Sequence, residues 1–445
     1  MKSGTIFALA SGGGKAGVAV VRISGDASES IFREFGAVCP APRRASRVRL
    51  LGPVKGHVLD EALSIWFPAP NSFTGENVVE LHVHGGRAVI AGVLGALARF
   101  EGFRMAEPGE FTRRAFENGK MDLTAAEGLA DLVDADTSAQ RDQALRQMGG
   151  ALGDLYEDWR VRLLKATAYL ETVIDFAEED IPEGLEAEVR GQVATLKAAV
   201  DEHLSQGHRG ERLREGVRVA ILGAPNAGKS SLLNRLAKRE AAIVSETAGT
   251  TRDVIEVHLD LGGIPVILSD TAGIRDTADE IEIEGVKRAL AQAQEADYKL
   301  VVVDPDHNPV VPRDIAPLID SSTRIVANKS DIRLPPKTIH DREPHILSAL
   351  TGDGVDELVE TLKTQVRDRF EVREQPSLTR NRHRVALQDC LEALSEFEAV
   401  PSLLHHPELA AENLRRACAS LGQITGRVDV EDLLDVIFRD FCIGK

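Results

Sequence analysis

Residues 223–230 read Gly-Ala-Pro-Asn-Ala-Gly-Lys-Ser. They follow the apolar run Val217-Arg218-Val219-Ala220-Ile221-Leu222 and precede Ser231-Leu232-Leu233-Asn234-Arg235-Leu236, whose apolar residues have helical spacing. Strand, glycine-rich turn and helix form the context of a phosphate-binding loop. The glycines let successive N–H groups converge on phosphate oxygens, and the helix adds its positive N-terminal end. Asn226, Ala227, Gly228, Lys229, Ser230 and Ser231 are therefore candidate nucleotide contacts. Lys229 is expected on the β- and γ-phosphates and the Ser230 hydroxyl on Mg²⁺.

The pieces downstream turn a nucleotide hint into a guanine nucleotide. Asp270-Thr271-Ala272-Gly273 follows the short apolar run 264–269. Asp270 at a strand end can hold Mg²⁺ through water, and the Gly273 N–H can reach a γ-phosphate. Asn328-Lys329-Ser330-Asp331 follows the strand-like Thr323-Arg324-Ile325-Val326-Ala327. A carboxylate at Asp331 suits the two donors, N1–H and N2–H₂, on the guanine edge; adenine offers no such pair. Ser348-Ala349 fits a last base-contacting loop. Each four-residue match is weak alone, but their order, each after a strand, is strong. Between loop and switch lie Ser245, Glu246, Thr247, Ala248, Gly249, Thr250 and Thr251. Thr251 is the candidate to close over Mg²⁺ and the γ-phosphate. Gly262-Gly263 reads as a hairpin turn. Ile274 stands where many small GTPases place a water-orienting Gln, and an Ile cannot polarise water.

Composition bounds the rest. A chain of 445 residues should hold about three domains. It has no run of 18 apolar residues and no signal peptide, which predicts a cytoplasmic protein without a membrane partner. Its net charge of −17 argues against indiscriminate nucleic-acid binding by the whole surface. Arg43, Arg44, Arg47 and Arg49 nevertheless cluster, as do Arg380, Arg382 and Arg384, whereas 171–186 holds seven acidic residues and no basic one. The four cysteines have neither metal-ligand nor disulfide spacing. His82 and His84 share a strand face, but no third metal ligand is near them in sequence.

Mixed strands and helices occupy 1–118, a helical pattern runs through 119–210, an α/β block spans 211–372, and 373–445 is helical again. The pattern predicts a multidomain α/β chain in which a Ras-like P-loop domain is inserted into a helical one.

The chain resembles the tRNA-modification GTPase family that acts on the wobble uridine, often called MnmE or TrmE. The resemblance is carried by the loops above and by Val21-Arg22-Ile23-Ser24-Gly25, by 70–80 (Pro-Asn-Ser-Phe-Thr-Gly-Glu-Asn-Val-Val-Glu) and by Pro108-Gly109-Glu110-Phe111-Thr112. Asn118-Gly119-Lys120-Met121-Asp122-Leu123 and the tail Phe441-Cys442-Ile443-Gly444-Lys445 complete it. The resemblance implies a folate-binding α+β N-terminal domain that also forms a homodimer, a helical middle domain, and the inserted GTPase domain. It implies a K⁺ ion held by Asn226, Ser245, Thr247 and Thr250 in the place of an arginine finger. It also implies that Glu282 orients the attacking water, with Glu280 and Glu284 close by. Arg22, Glu80, Lys120 and Lys445 match positions that contact tetrahydrofolate. A carboxylate such as Glu80 can accept from the pterin's paired N–H groups, though Arg22 also suits a strand-edge charge and Glu80 a cross-strand partner. The implied activity is GTP hydrolysis coupled, with an FAD-dependent partner subunit in a heterotetramer, to C5 modification of tRNA. A ribosome-assembly GTPase that binds rRNA without covalent chemistry is the competing class, and a folate-dependent methyltransferase carrying a nucleotide switch is a third. The N-terminal domain and the Cys-Ile-Gly-Lys tail speak against the rRNA reading, because an RNA-binding factor should carry a basic RNA-binding module.

Overall fold

A computed structural model describes residues 4–52, 57–176, 184–239, 256–270, 293–307, 310–370, 376–428, 431–439 and 441–445. They fall into two compact units. One holds residues 1–130, 147–179 and 405–445, the other 131–146 and 180–404.

The first unit is built on a six-stranded sheet of β1 (Thr5–Leu9), β2 (Ala16–Ser24), β3 (Ser46–Leu51), β4 (Val58–Phe67), β5 (Val78–Gly85) and β6 (Phe103–Met105). Their order is β3-β4-β5-β2-β1-β6. Only β1 and β6 run parallel; the other pairings are antiparallel. Period-two patterning explains the layering. Val21 and Ile23 of β2 and Val79, Leu81 and Val83 of β5 point into a core with Ile31, Phe32, Val93 and Leu97. Arg22 and Glu80, one residue out of phase, point the other way. The long helices Ala151–Asp175 and Pro407–Thr425 pack together, burying Tyr156, Trp159, Leu163 and Leu170 on one and Leu414, Ala417 and Leu421 on the other. A smaller cluster of Leu123, Ala126, Leu434, Phe438 and Phe441 leads into the C-terminal tail.

The second unit contains β7 (Val217–Gly223), β8 (Glu256–Leu261), β9 (Ile264–Asp270), β10 (Tyr298–Val303), β11 (Thr323–Ala327) and β12 (His345–Ile346). The sheet order is β12-β11-β10-β7-β9-β8, parallel except for the β8–β9 hairpin, which turns at Gly262-Gly263 as the sequence predicts. All six residues of β10 are buried, as expected of a central parallel strand covered on both faces. Helices Lys229–Arg239 and Val355–Phe370 contribute Leu232, Leu233, Leu236, Leu358 and Leu362 to the core on one face. The strands after β7 run to either side of it, so the order reverses between β7 and β10. An open α/β sheet opens its ligand crevice at the carboxyl ends of the strands at such a point.

Helix Leu185–Glu215 packs against helix Asn381–Glu398 in the same unit. Arg384 holds Glu211 through Nε at 3.1 Å and Nη2 at 2.6 Å. Gly207 and Gly210 let the incoming chain lie directly on this helix. A Cβ at Gly210 would stand 2.2 Å from the Leu378 carbonyl oxygen. Among the described residues no helix is long and apolar enough to cross a membrane.

Candidate functional site

The phosphate loop leaves the carboxyl end of β7. Gly228 has φ +93°, and a Cβ there would lie 2.1 Å from Nδ2 of Asn328, so the position admits only glycine. Asn226 has φ +61° and is exposed; Asn is the non-glycine residue best suited to that region. Ala227 is buried, and Ser230 and Ser231 are exposed at the start of the following helix. Lys229 is buried, with Nζ donating to the carbonyls of Gly223 and Ala224 at 2.9 Å each. Its ammonium thus sits inside the curl of the loop.

Asn328 joins three loops. It is almost fully buried. Its Nδ2 donates to the Ala227 carbonyl at 2.9 Å, and its Oδ1 accepts from the Ala349 N–H at 2.9 Å. The phosphate loop, the 328–331 loop and the 348–349 loop therefore share one amide group. Ser348, fully buried, donates to Oδ1 of Asp331 and receives the Thr351 N–H. Asp331 is itself exposed, so its carboxylate is aimed while remaining open to a base. Arg235 Nε braces the Ala349 carbonyl at 3.1 Å.

Lys329 has φ +60°, and its Nζ lies 2.6 Å from Oδ2 of Asp304. Burial works against charge on Asp304, but hydrogen bonds from Lys329 and from the Asp306 and His307 backbone N–H groups hold its carboxyl below the usual range. Sequence reading missed Asp304 and Arg235. The available signal for Asp304 was an acidic residue directly after a buried strand.

Asp270 ends β9, beside Ile221 of β7 in the register, which brings the expected Mg²⁺-linked residue to the loop's own strand. Ser245, Glu246, Thr247, Ala248, Gly249, Thr250, Thr251, Thr271, Ala272, Gly273, Ile274 and Glu282 lie outside the described residues. The donors present suit a nucleotide with Mg²⁺: a lysine inside the loop, a hydroxyl at the helix start and a carboxylate at a strand end.

In the first unit Arg22 and Glu80 are direct cross-strand neighbours on β2 and β5. Arg22 donates from Nε and Nη2 to Glu80 Oε1 at 3.2 and 3.1 Å. Its guanidinium stands 5.1 Å from the Phe73 ring centre and 5.8 Å from that of Phe111. Glu80 Oε2 faces His82 Nε2 at 3.5 Å. The register makes the two residues each other's partners, and it also leaves Glu80 Oε2 outside the Arg22 contact, with the half-buried Phe73 ring beside the guanidinium. Such a donor set suits a pterin, which has a paired N–H edge and a flat face. Lys120 Nζ donates to the Pro70 carbonyl at 3.0 Å, in the loop that carries Phe73. The C-terminal tail is stitched to the same sheet: Ile443 bridges Pro108, and a Cβ at Gly444 would lie 2.1 Å from the Leu9 carbonyl oxygen. Leu9 pairs with Val21, next to Arg22, which brings half-buried Lys445 to this part of the fold. His84 pairs instead with Asp60, Nδ1 to Oδ1 at 2.7 Å, and no cluster able to hold a metal occurs among the described residues.

A family model described as the TrmE N-terminus of a GTP-binding protein matches residues 5–120, and one described as the MnmE helical domain matches residues 123–442. A protein of Paramagnetospirillum magneticum named tRNA modification GTPase MnmE is 56% identical over 446 residues, covering 100% of both chains. One of the same name from Parvibaculum lavamentivorans is 55% identical, covering 99% of this chain and 100% of its own. The Danio rerio protein named 5-taurinomethyluridine-[tRNA] synthase subunit GTPB3, mitochondrial, is 49% identical, covering 99% of this chain and 93% of its own. A switch-point nucleotide site, two family models that together span nearly the whole chain and end-to-end similarity lead to one conclusion: the chain belongs to the MnmE/TrmE family of tRNA-modification GTPases.

Proposed function

We propose that this chain hydrolyses GTP in the service of tRNA modification. As a homodimer, joined to an FAD-dependent partner subunit in a heterotetramer, it adds an aminomethyl or carboxymethylaminomethyl group to C5 of the wobble uridine. Tetrahydrofolate, in its 5,10-methylene or 5-formyl form, occupies the Arg22–Glu80 site. The observation that carries this reading is the coexistence, on one chain, of the Asn328-linked nucleotide loops and the Arg22–Glu80 pair between Phe73 and Phe111. The word subunit in the zebrafish relative's name is in keeping with a partner. Acting on tRNA, the protein would work in the cytoplasm.

In the nucleotide site, Asp331 reads the guanine edge beside the Ser348-Ala349 loop, and Lys229 meets the phosphates. Ser230 and Thr251 would hold Mg²⁺, with Asp270 behind them. Asn226, Ser245, Thr247 and Thr250 would hold K⁺. Both cations offset the negative charge that builds on the phosphates during hydrolysis. Glu282 orients the attacking water, a role that Ile274 cannot fill. In the first unit Glu80 accepts the pterin N–H pair, while Arg22, Lys120 and Lys445 meet its carbonyl or glutamate oxygens.

Mass analysis of wobble-uridine nucleosides from cells lacking the gene tests this reading. The C5-substituted nucleosides should disappear and return on complementation with the wild-type gene. Unchanged C5 modification would refute it.

A further inference from the structure

Asp304 follows Val303, the last residue of β10, and Val303 lies beside Ala327 in parallel register. The loop holding Asn328 and Asp331 starts from the neighbouring strand end. Asp304 is buried, with 7% of its surface exposed. It has three neighbours that stabilise a negative charge: Lys329 Nζ at 2.6 Å, the Asp306 N–H at 3.0 Å, and the His307 backbone N–H. Lys329 meets it from a left-handed backbone, φ +60°. A long side chain rarely adopts that conformation unless its surroundings fix it. Backbone and ion pair therefore fix the lysine at both ends of its four-carbon stem.

We propose that Asp304 is a positioning residue for the guanine nucleotide. By anchoring the ammonium of Lys329, it stretches the lysine's methylene stem along one face of the slot whose edge is read by Asp331. A purine face is flat and largely apolar, and a held methylene chain is a matching surface for it. An untethered lysine must surrender its rotamer freedom at each binding event, whereas a tethered one has surrendered it beforehand. The tether lies at the base end of the site, so its loss weakens binding rather than the chemical step. The proposal rests on the guanine-nucleotide reading of this site.

The test uses full-length protein and a fluorescent GDP analogue. Asp304→Asn should weaken GDP binding on the order of tenfold, through a faster off-rate. In GTP turnover the loss should appear in KM, with kcat moving less than about twofold. Lys329→Met, which keeps the apolar stem and loses the anchor point, should weaken binding to a similar degree. The double variant should be no weaker than Lys329→Met alone. Multiplying losses, or unchanged affinity in Asp304→Asn, would overturn the proposal. Should Asp304→Asn fail to fold, Lys329→Arg decides. Its cation still reaches the carboxylate, so it must bind within about threefold of wild type while Lys329→Met does not; equal losses would overturn the tether. A wild-type protein that binds no GDP would refute the nucleotide reading itself, a result distinct from all of these.

Discussion

Ser348 donates its hydroxyl proton to Oδ1 of Asp331 at 2.5 Å, across a separation of 17 residues. The donor is fully buried and the acceptor exposed, so the core aims a carboxylate at solvent. Ser348→Ala removes that aim and strips the Thr351 N–H of its acceptor. A hydrogen bond to a charged group contributes about 1.5–3 kcal/mol. GDP affinity should fall by at least about tenfold, measured by calorimetry, while binding of the phosphate end persists.

Gly228→Ala should be more severe. The new Cβ meets Asn328 Nδ2 at 2.1 Å, and φ is +93°. Displacing Asn328 releases the bonds to Ala227 and Ala349 together. Nucleotide binding should be lost altogether, and the apparent melting temperature of full-length protein should drop. Retained GDP binding would show that the three loops are held by something other than Asn328.

Glu80→Gln keeps the side chain's shape, removes its charge and puts a donor where an acceptor is needed. Affinity of the full-length protein for 5-formyltetrahydrofolate should fall by more than about tenfold in equilibrium dialysis, with the intrinsic GTP hydrolysis rate unaltered. Equal affinity in variant and wild type would remove Glu80 from the proposed folate site.

Hydrolysis should run much faster in K⁺ than in Na⁺ at equal ionic strength, because Asn226 and its partner loop are proposed to complete a K⁺ site. Asn226→Ala should erase the difference. Glu282→Ala should bind GTP normally and turn over poorly. A fully active Glu282→Ala protein would hand the water-orienting role to Glu280 or Glu284.

Acid should loosen the pair of helices Leu185–Glu215 and Asn381–Glu398. Burial, reinforced by His383, pushes His203 down from 6.5 to about 4. Between those values the unfolded chain holds more protons than the folded one. The stability His203 confers is therefore complete above pH 6.5 and is lost progressively as pH falls toward 4. Thermal melting across that window should show a fall steeper in wild type than in His203→Gln.

The sequence made the nucleotide loops legible because phosphate and base recognition use contiguous residues placed after strands. The β8–β9 hairpin was legible for a similar reason: its turn is two adjacent glycines. The β-sheet order was not, because β10 enters between β7 and β11 by a crossover that leaves no local trace. Asp304 escaped because its meaning depends on β10–β11 register and on Lys329, 25 residues away. The two partners Asn328 holds lie 101 and 21 residues from it in the chain, which a four-residue motif cannot reveal. Arg22 and Glu80 were legible as candidates, but only the β2–β5 register shows them to be each other's partners.

The close approach of Leu378 to Gly210 carries a mechanical consequence. The chain leaves helix Leu185–Glu215 at Gly216 to build the nucleotide block, and on return it presses onto the same helix, within two turns of its exit. A block hung from a single tether could swivel idly. One hung from two neighbouring tethers cannot turn without winding them round each other. The exit and the return therefore meet that helix at neighbouring points, and the small residues at 207 and 210 keep those points close together.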